Sequence, residues 1–223
     1  MMKHVFLTGV PGVGKTTLVK KVCDAVVSGG VSVSGFYTEE VRERGRRVGF
    51  DVVTLTGDRG RLSRIGTQSA AGGRECRVGQ YAVDLQSFES LALPLFRNMR
   101  EGSKRLFVID EIGKMELFSQ AFIRAVRQTL DASSCSVLGT IPVPKGKPLA
   151  LVEEVRSRQD VKIFMITKEN RDVIFDDIVS AVQECLKSFE GEGLQRARQI
   201  EKGIVGRAVA IRGLVRVTPL LFS

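Results

Sequence analysis

An α/β fold, with a mostly parallel central sheet covered by helices on both faces, is what this sequence predicts, and three observations carry the prediction. Short apolar runs of strand length (5–8, 106–109, 136–141 and 161–166) alternate with amphipathic stretches. Directly behind the first run, Gly9-Val10-Pro11-Gly12-Val13-Gly14-Lys15-Thr16 reads G-x-x-x-x-G-K-T. The second run, Leu106-Phe107-Val108-Ile109, ends in two acids, Asp110-Glu111.

Taken in order, 5–8 is a buried strand, and 15–28 is a helix with Leu18, Val19, Val22, Cys23 and Val26 at helical spacing, ended by Gly29-Gly30. Residues 33–41 and 48–55 read as an antiparallel hairpin with a basic tip, Arg44-Gly45-Arg46-Arg47. Residues 56–80 lack periodicity and read as a loop, with short strands near 77–81. Segment 87–99 repeats apolar residues at helical spacing behind a capping Asp84 or Ser87. A single helix is expected over 115–130, with Phe118, Phe122, Ile123, Val126 and Leu130 on one face. Pro142, Pro144 and Pro148 interrupt the chain after 136–141, and a short helix is expected over 149–158. A last strand, 161–166, leads to a last helix, 170–187. The domain is placed at 1–189. Residues 190–223 are Gly-rich with scattered arginines and read as a poorly ordered appendage.

The glycine motif names a ligand. Its glycines let the backbone curl with N–H groups inward, and the helix that starts there turns its positive end toward an anion. Lys15 is expected to reach the β/γ-phosphates of a nucleotide, and Thr16 to place its hydroxyl on Mg²⁺, while Pro11 stiffens the loop. Phosphate hydrolysis also needs a carboxylate on the metal side and a group that orients water. Asp110 fits the first role and Glu111 the second. The alternative for this pair is to cap the following helix. Thr140, ending the strand 136–141, is a candidate sensor of the γ-phosphate or a plain strand-terminal threonine. Lys114 is the first candidate for positive charge at the transition state, because it follows the two acids. Arg46, Arg47, Arg64, Arg74, Arg77, Lys145 and Lys147 are the others. Asn170 either touches the base with weak preference or caps the last helix.

Composition sets the bounds. The 223 residues are 43% hydrophobic and 26% charged, a globular balance, with net charge +9. No aromatics interleave with the basic residues as a nucleic-acid groove requires, so the charge reads as a solvated basic face or a cleft for polyphosphate. Four scattered cysteines without C-x-x-C and one histidine exclude a structural zinc site of usual spacing. No signal peptide and no membrane-length run is visible, which points to a reducing intracellular setting, cytoplasmic or nuclear, with free thiols, and a monomer is expected.

Gly35-Phe36-Tyr37-Thr38-Glu39-Glu40, Gly49-Phe50-Asp51, Val108 to Glu116 and Gly139-Thr140-Ile141-Pro142, together with 5–16, resemble the cancer-related nucleoside-triphosphatase family and its relatives in thermophilic microbes. The resemblance covers about 3–188. It implies a P-loop NTPase fold of the RecA-like division, a three-layer sandwich with Mg²⁺-dependent hydrolysis of several nucleoside triphosphates. It places nucleotide contacts at Gly9, Val10, Pro11, Gly12, Val13, Gly14, Lys15, Thr16 and the adjoining Thr17. A second set falls at Val108, Ile109, Asp110, Glu111, Ile112, Gly113, Lys114 and Met115. The alternatives are a nucleotide or small-molecule kinase with the Arg-rich segment as a lid, and an ATPase stimulated by nucleic acid.

Overall fold

The structure, a computed structural model, describes residues 1–66, 76–97, 105–132 and 135–187. All of these belong to one compact unit, Met1–Phe189. The appendage expected over 190–223 and the candidate Arg74 lie outside the described residues.

Among the described residues nine strands form one sheet: β1 (His4–Thr8), β2 (Ser32–Glu43), β3 (Arg46–Thr54), β4 (Arg59–Ile65), β5 (Arg77–Val78), β6 (Tyr81–Val83), β7 (Arg105–Asp110), β8 (Ser136–Ile141) and β9 (Val161–Met165). Their spatial order is β5-β6-β4-β3-β2-β7-β8-β1-β9. The run β2-β7-β8-β1-β9 is parallel, and β3, β4, β6 and β5 extend it as an antiparallel wing. Helices are α1 (Lys15–Ser28), α2 (Leu85–Arg97), α3 (Gln120–Asp131), α4 (Ala150–Ser157) and α5 (175–187).

Strict alternation along the parallel strands builds the three layers. Val5, Leu7, Leu106, Val108 and Leu138 pack with Leu18, Val19 and Val22 of α1 and with Ile178 and Val182 of α5. Phe6, Phe107, Ile109, Val137 and Ile141 turn the other way, against α2, α3 and α4. A parallel sheet covered on both faces must be apolar on both, and β7 and β8 are buried from end to end apart from Arg105.

One strand, β8, separates the strand that enters the glycine motif from β7, which ends in Asp110. That spacing sets the width of the site. Gly139 holds it: a Cβ there would lie 2.4 Å from the Phe6 ring.

The wing departs from the sequence reading in one respect. Arg59–Ile65, expected as loop, is a strand, because Leu62 and Ser63 are buried and two of its three arginines pair with acids of β2 and β3. Arg59 and Arg64 both bind Asp51 of β3, at 3.1 and 2.6 Å. Two further differences concern helix starts. Residues 115–130 are a single turn at Glu116–Phe118 followed by α3, because Ser119 accepts a hydrogen bond from Phe122 N–H at 3.0 Å and caps α3 there. The last helix starts at 175, not 170. Asp84 caps α2, its Oδ1 accepting from Ser87 N–H at 3.0 Å.

The β2–β3 hairpin turns on Arg44 and Gly45, both at positive φ (47° and 79°), the backbone a two-residue hairpin favours. Tyr37 is level with Asp110, and β2 runs on to Glu43. Six further residues carry the basic tip about 20 Å past the carboxyl end of β7.

Candidate active site

The glycine loop links β1 to α1 at the carboxyl edge of the sheet, where ligands of parallel α/β sheets bind. Gly14, with φ 111° and ψ 17°, is the N-cap of α1 and supplies no side chain to its first N–H groups. No acid lies in the first helical turn either. The helix start is therefore left with donors and positive dipole facing outward, as anion binding requires. Lys15 is buried, and its Nζ donates to the carbonyls of Gly9 (2.8 Å) and Val10 (3.4 Å), so the ammonium lies inside the loop it follows.

Across β8 from that loop, Asp110 is fully buried on the face shared with α1. Thr140 donates its hydroxyl to Asp110 Oδ1, and Oδ2 has no hydrogen-bond partner among the described residues. Burial pushes this carboxyl up from the usual range, while Thr140 and Thr16 and the charges of Lys15 and Lys20 pull it down. A buried carboxylate oxygen without a partner is costly, and the carboxylate adjoins the Thr16 hydroxyl in the first turn of α1. One carboxylate and one hydroxyl beside a phosphate site suit a cation such as Mg²⁺, which takes few protein ligands and keeps waters and phosphate oxygens. Among the described residues no group of three or more His, Cys, Asp or Glu could hold a metal ion by itself.

Glu111 follows through a cis peptide bond. Burial raises its carboxyl, Lys15 lowers it and Asp110 raises it further. Lys15 therefore acts on both acids. Gly113 lies between two carboxylates: a Cβ there would lie 2.7 Å from Glu111 Oε1 and 3.0 Å from Glu116 Oε2. Glu116 is buried, accepts the Gly113 N–H at 3.1 Å, and is pushed up to about 8 by burial and then by the charge of Glu111.

Residues 4–179 match the family model described as NTPase. The chain belongs to the NTPase family. It is 65% identical over 190 residues to the cancer-related nucleoside-triphosphatase of Homo sapiens, covering 84% of this chain and 100% of that protein. It is 40% identical over 185 residues to the nucleoside-triphosphatase THEP1 of Aquifex aeolicus (strain VF5), covering 80% and 98%. The solution structure of the human cancer-related protein superposes with TM-score 0.73 over 82% of this chain and 98% of that one. The crystal structure of THEP1 from Aquifex aeolicus gives 0.69 over 80% and 98%, at 39% identity.

The structure brings Lys15, Thr16, Asp110, Glu111 and Thr140 together. Lys114 is elsewhere: it is exposed and lines a cavity beside α3. Arg47 and Arg64 are engaged in the wing, Arg47 with Tyr81 and Glu40, and Arg64 with Asp51. Asn170 does not cap α5. Its Oδ1 accepts from Thr167 N–H at 2.8 Å and its Nδ2 donates to the Met165 carbonyl at 2.8 Å, which ties down the loop after β9.

Two site residues escaped the sequence reading. Glu116 sat on an apolar stripe taken as one helix, and its spacing of three from Gly113 was the available signal. Arg156 of α4 donates through Nη2 to Thr8 Oγ1 (3.2 Å) and to the Pro142 carbonyl (2.6 Å). It joins the end of β1 to the chain leaving β8, a contact over 148 positions that no local pattern reveals.

Proposed function

We propose that this chain hydrolyses nucleoside triphosphates to diphosphate and phosphate, with Mg²⁺ as cofactor and loose selection of the base. One observation carries the reading: a buried carboxylate oxygen of Asp110, without a hydrogen-bond partner, stands across one strand from a helix start that offers only donors. The names of the relatives, nucleoside-triphosphatases at 65% and 40% identity, agree with it.

In this reading Thr16 and Asp110 hold the Mg²⁺, which when bound offsets negative charge on the phosphate oxygens. The N–H groups of 12–17 and the Lys15 ammonium bind the β- and γ-phosphates and absorb charge as the bond to the leaving diphosphate breaks. Lys15 exchanges its carbonyl partners at Gly9 and Val10 for phosphate oxygens. Glu111 orients the attacking water and takes its proton, and its raised basicity suits that task. Thr140 fixes the Asp110 carboxylate, so the cation side is preorganised. Glu116 bonds the turn that carries Glu111. In the protonated form that its raised value favours at neutral pH, it adds no further negative charge beside Glu111. Transition-state charge falls to Lys15 rather than Lys114.

Loose base selection rests on Asn170. Both ends of its amide bind the backbone of its own loop, and an amide offers one acceptor, not the two oxygens of an aspartate clamp on guanine.

The test is free phosphate release from ATP, GTP, CTP and UTP on the full chain, with and without Mg²⁺. Comparable Mg²⁺-dependent release from all four is expected. Bound nucleotide with no phosphate release would contradict hydrolysis.

A further inference from the structure

Beside the catalytic turn lies a cavity of about 440 Å³, between α3, the start of α4 and the loop after β8. That volume is within the range of small-molecule sites. Its floor is apolar, formed by Leu117, Ile123 and Leu149, and its remaining charged lining is cationic: Lys114, Arg127 and Lys147. No carboxylate lines it. Arg127 is held by Glu154 in a two-point ion pair at 2.8 and 2.6 Å. Lys114 and Lys147, both exposed, have no ion-pair partner among the described residues. Two uncompensated ammonium groups over an apolar floor favour one chemistry, an anion with an apolar body.

We infer that this cavity is a binding site for a small organic anion, an aromatic or aliphatic phosphate ester or carboxylate, distinct from the phosphate loop. It accounts for Lys147, which the hydrolytic site leaves unused. It also places the ligand next to chemistry. Lys114 and Leu117 bracket the turn in which Leu117 N–H bonds the Gly113 carbonyl and Glu116 bonds the Gly113 N–H. A ligand drawn onto Lys114 sits against the turn that carries Glu111. Binding itself does not depend on the hydrolytic reading.

Pyridoxal 5′-phosphate is a suitable probe, because it is an aromatic phosphate ester whose aldehyde forms an imine with a nearby lysine amine, releasing water. Borohydride then reduces that imine, and peptide mapping locates the label. On the full chain at limiting probe, the cavity lysines Lys147 or Lys114 should be labelled ahead of Lys145, Lys162, Lys168 and Lys187. 1-Naphthyl phosphate should compete, and equal inorganic phosphate should not. Ala150→Glu adds a carboxylate at an exposed rim position in the first turn of α4, where an acid suits the helix. It should weaken labelling about tenfold with an unchanged melting temperature. Even labelling across exposed lysines, inorganic phosphate competing as well as the naphthyl ester, or undiminished labelling in a folded Ala150→Glu protein would overturn the assignment.

Discussion

Thr140, near the end of β8, donates its hydroxyl to Oδ1 of Asp110, at the end of β7, and both residues are buried. The bond crosses two neighbouring strands whose register brings Ile109 level with Gly139. It leaves one carboxylate oxygen fixed and the other open.

Thr140→Val keeps the shape and removes the donor. Asp110 then loses one of its two hydroxyl partners in a buried setting, a loss of about 1–3 kcal/mol. The melting temperature should fall, and phosphate release should fall with it as the carboxylate loses its fixed orientation. Thermal melting and release measured on the same preparation check this. Unchanged values in both would remove Thr140 from the site.

Glu116 sets a pH dependence. Its folded carboxyl is raised to about 8 from an ordinary 4.5, so the folded chain holds this proton more tightly than the unfolded chain. The associated stability is present below the unfolded value and is lost as pH rises through about 8. Asp110 and Glu111 are raised in the same direction. The decline in melting temperature that Glu116 contributes should therefore run from about pH 4.5 to about pH 8 and level off above it. Glu116→Gln keeps an acceptor for the Gly113 N–H and cannot ionise, so its decline should be shallower.

His4 acts with the opposite sign. It is the chain's one histidine, fully buried, with Nδ1 accepting from Val137 N–H and Nε2 bonded to the Leu130 carbonyl. Burial lowers it to about 4, outweighing the Asp160 carboxylate 3.9 Å away, so the two do not form an ion pair at neutral pH. Its contribution, about 3 kcal/mol, is present above pH 6.5 and is lost as pH falls toward 4. Imidazole titration by NMR should show no midpoint near 6.5 in the folded chain.

The parallel half of the sheet and the phosphate loop were legible because burial on both faces writes continuous apolar runs, and because the glycine motif needs a strand before it and a helix after. The wing was harder. In β4, Arg59-Gly60-Arg61-Leu62-Ser63-Arg64-Ile65, only Leu62 and Ser63 are buried, and what holds Arg59 and Arg64 is Asp51 on another strand. The break before α3 was written at Ser119 but masked by apolar residues that stay in phase across it. Of the site, Lys15, Thr16, Asp110 and Glu111 follow from spacing along the chain. Arg156 and Glu116 do not, because their partners are set by tertiary approach and by a tight turn. Lys114 illustrates the converse: adjacency in sequence to two acids did not bring its ammonium to them.

The most direct test of the hydrolytic account is Glu111→Gln, assayed for Mg²⁺-dependent nucleotide binding and for phosphate release on the same protein. The amide keeps the size of the side chain and removes the base. Retained binding with release abolished is the predicted result. Release near the wild-type rate would contradict it and assign the orientation of water to another group.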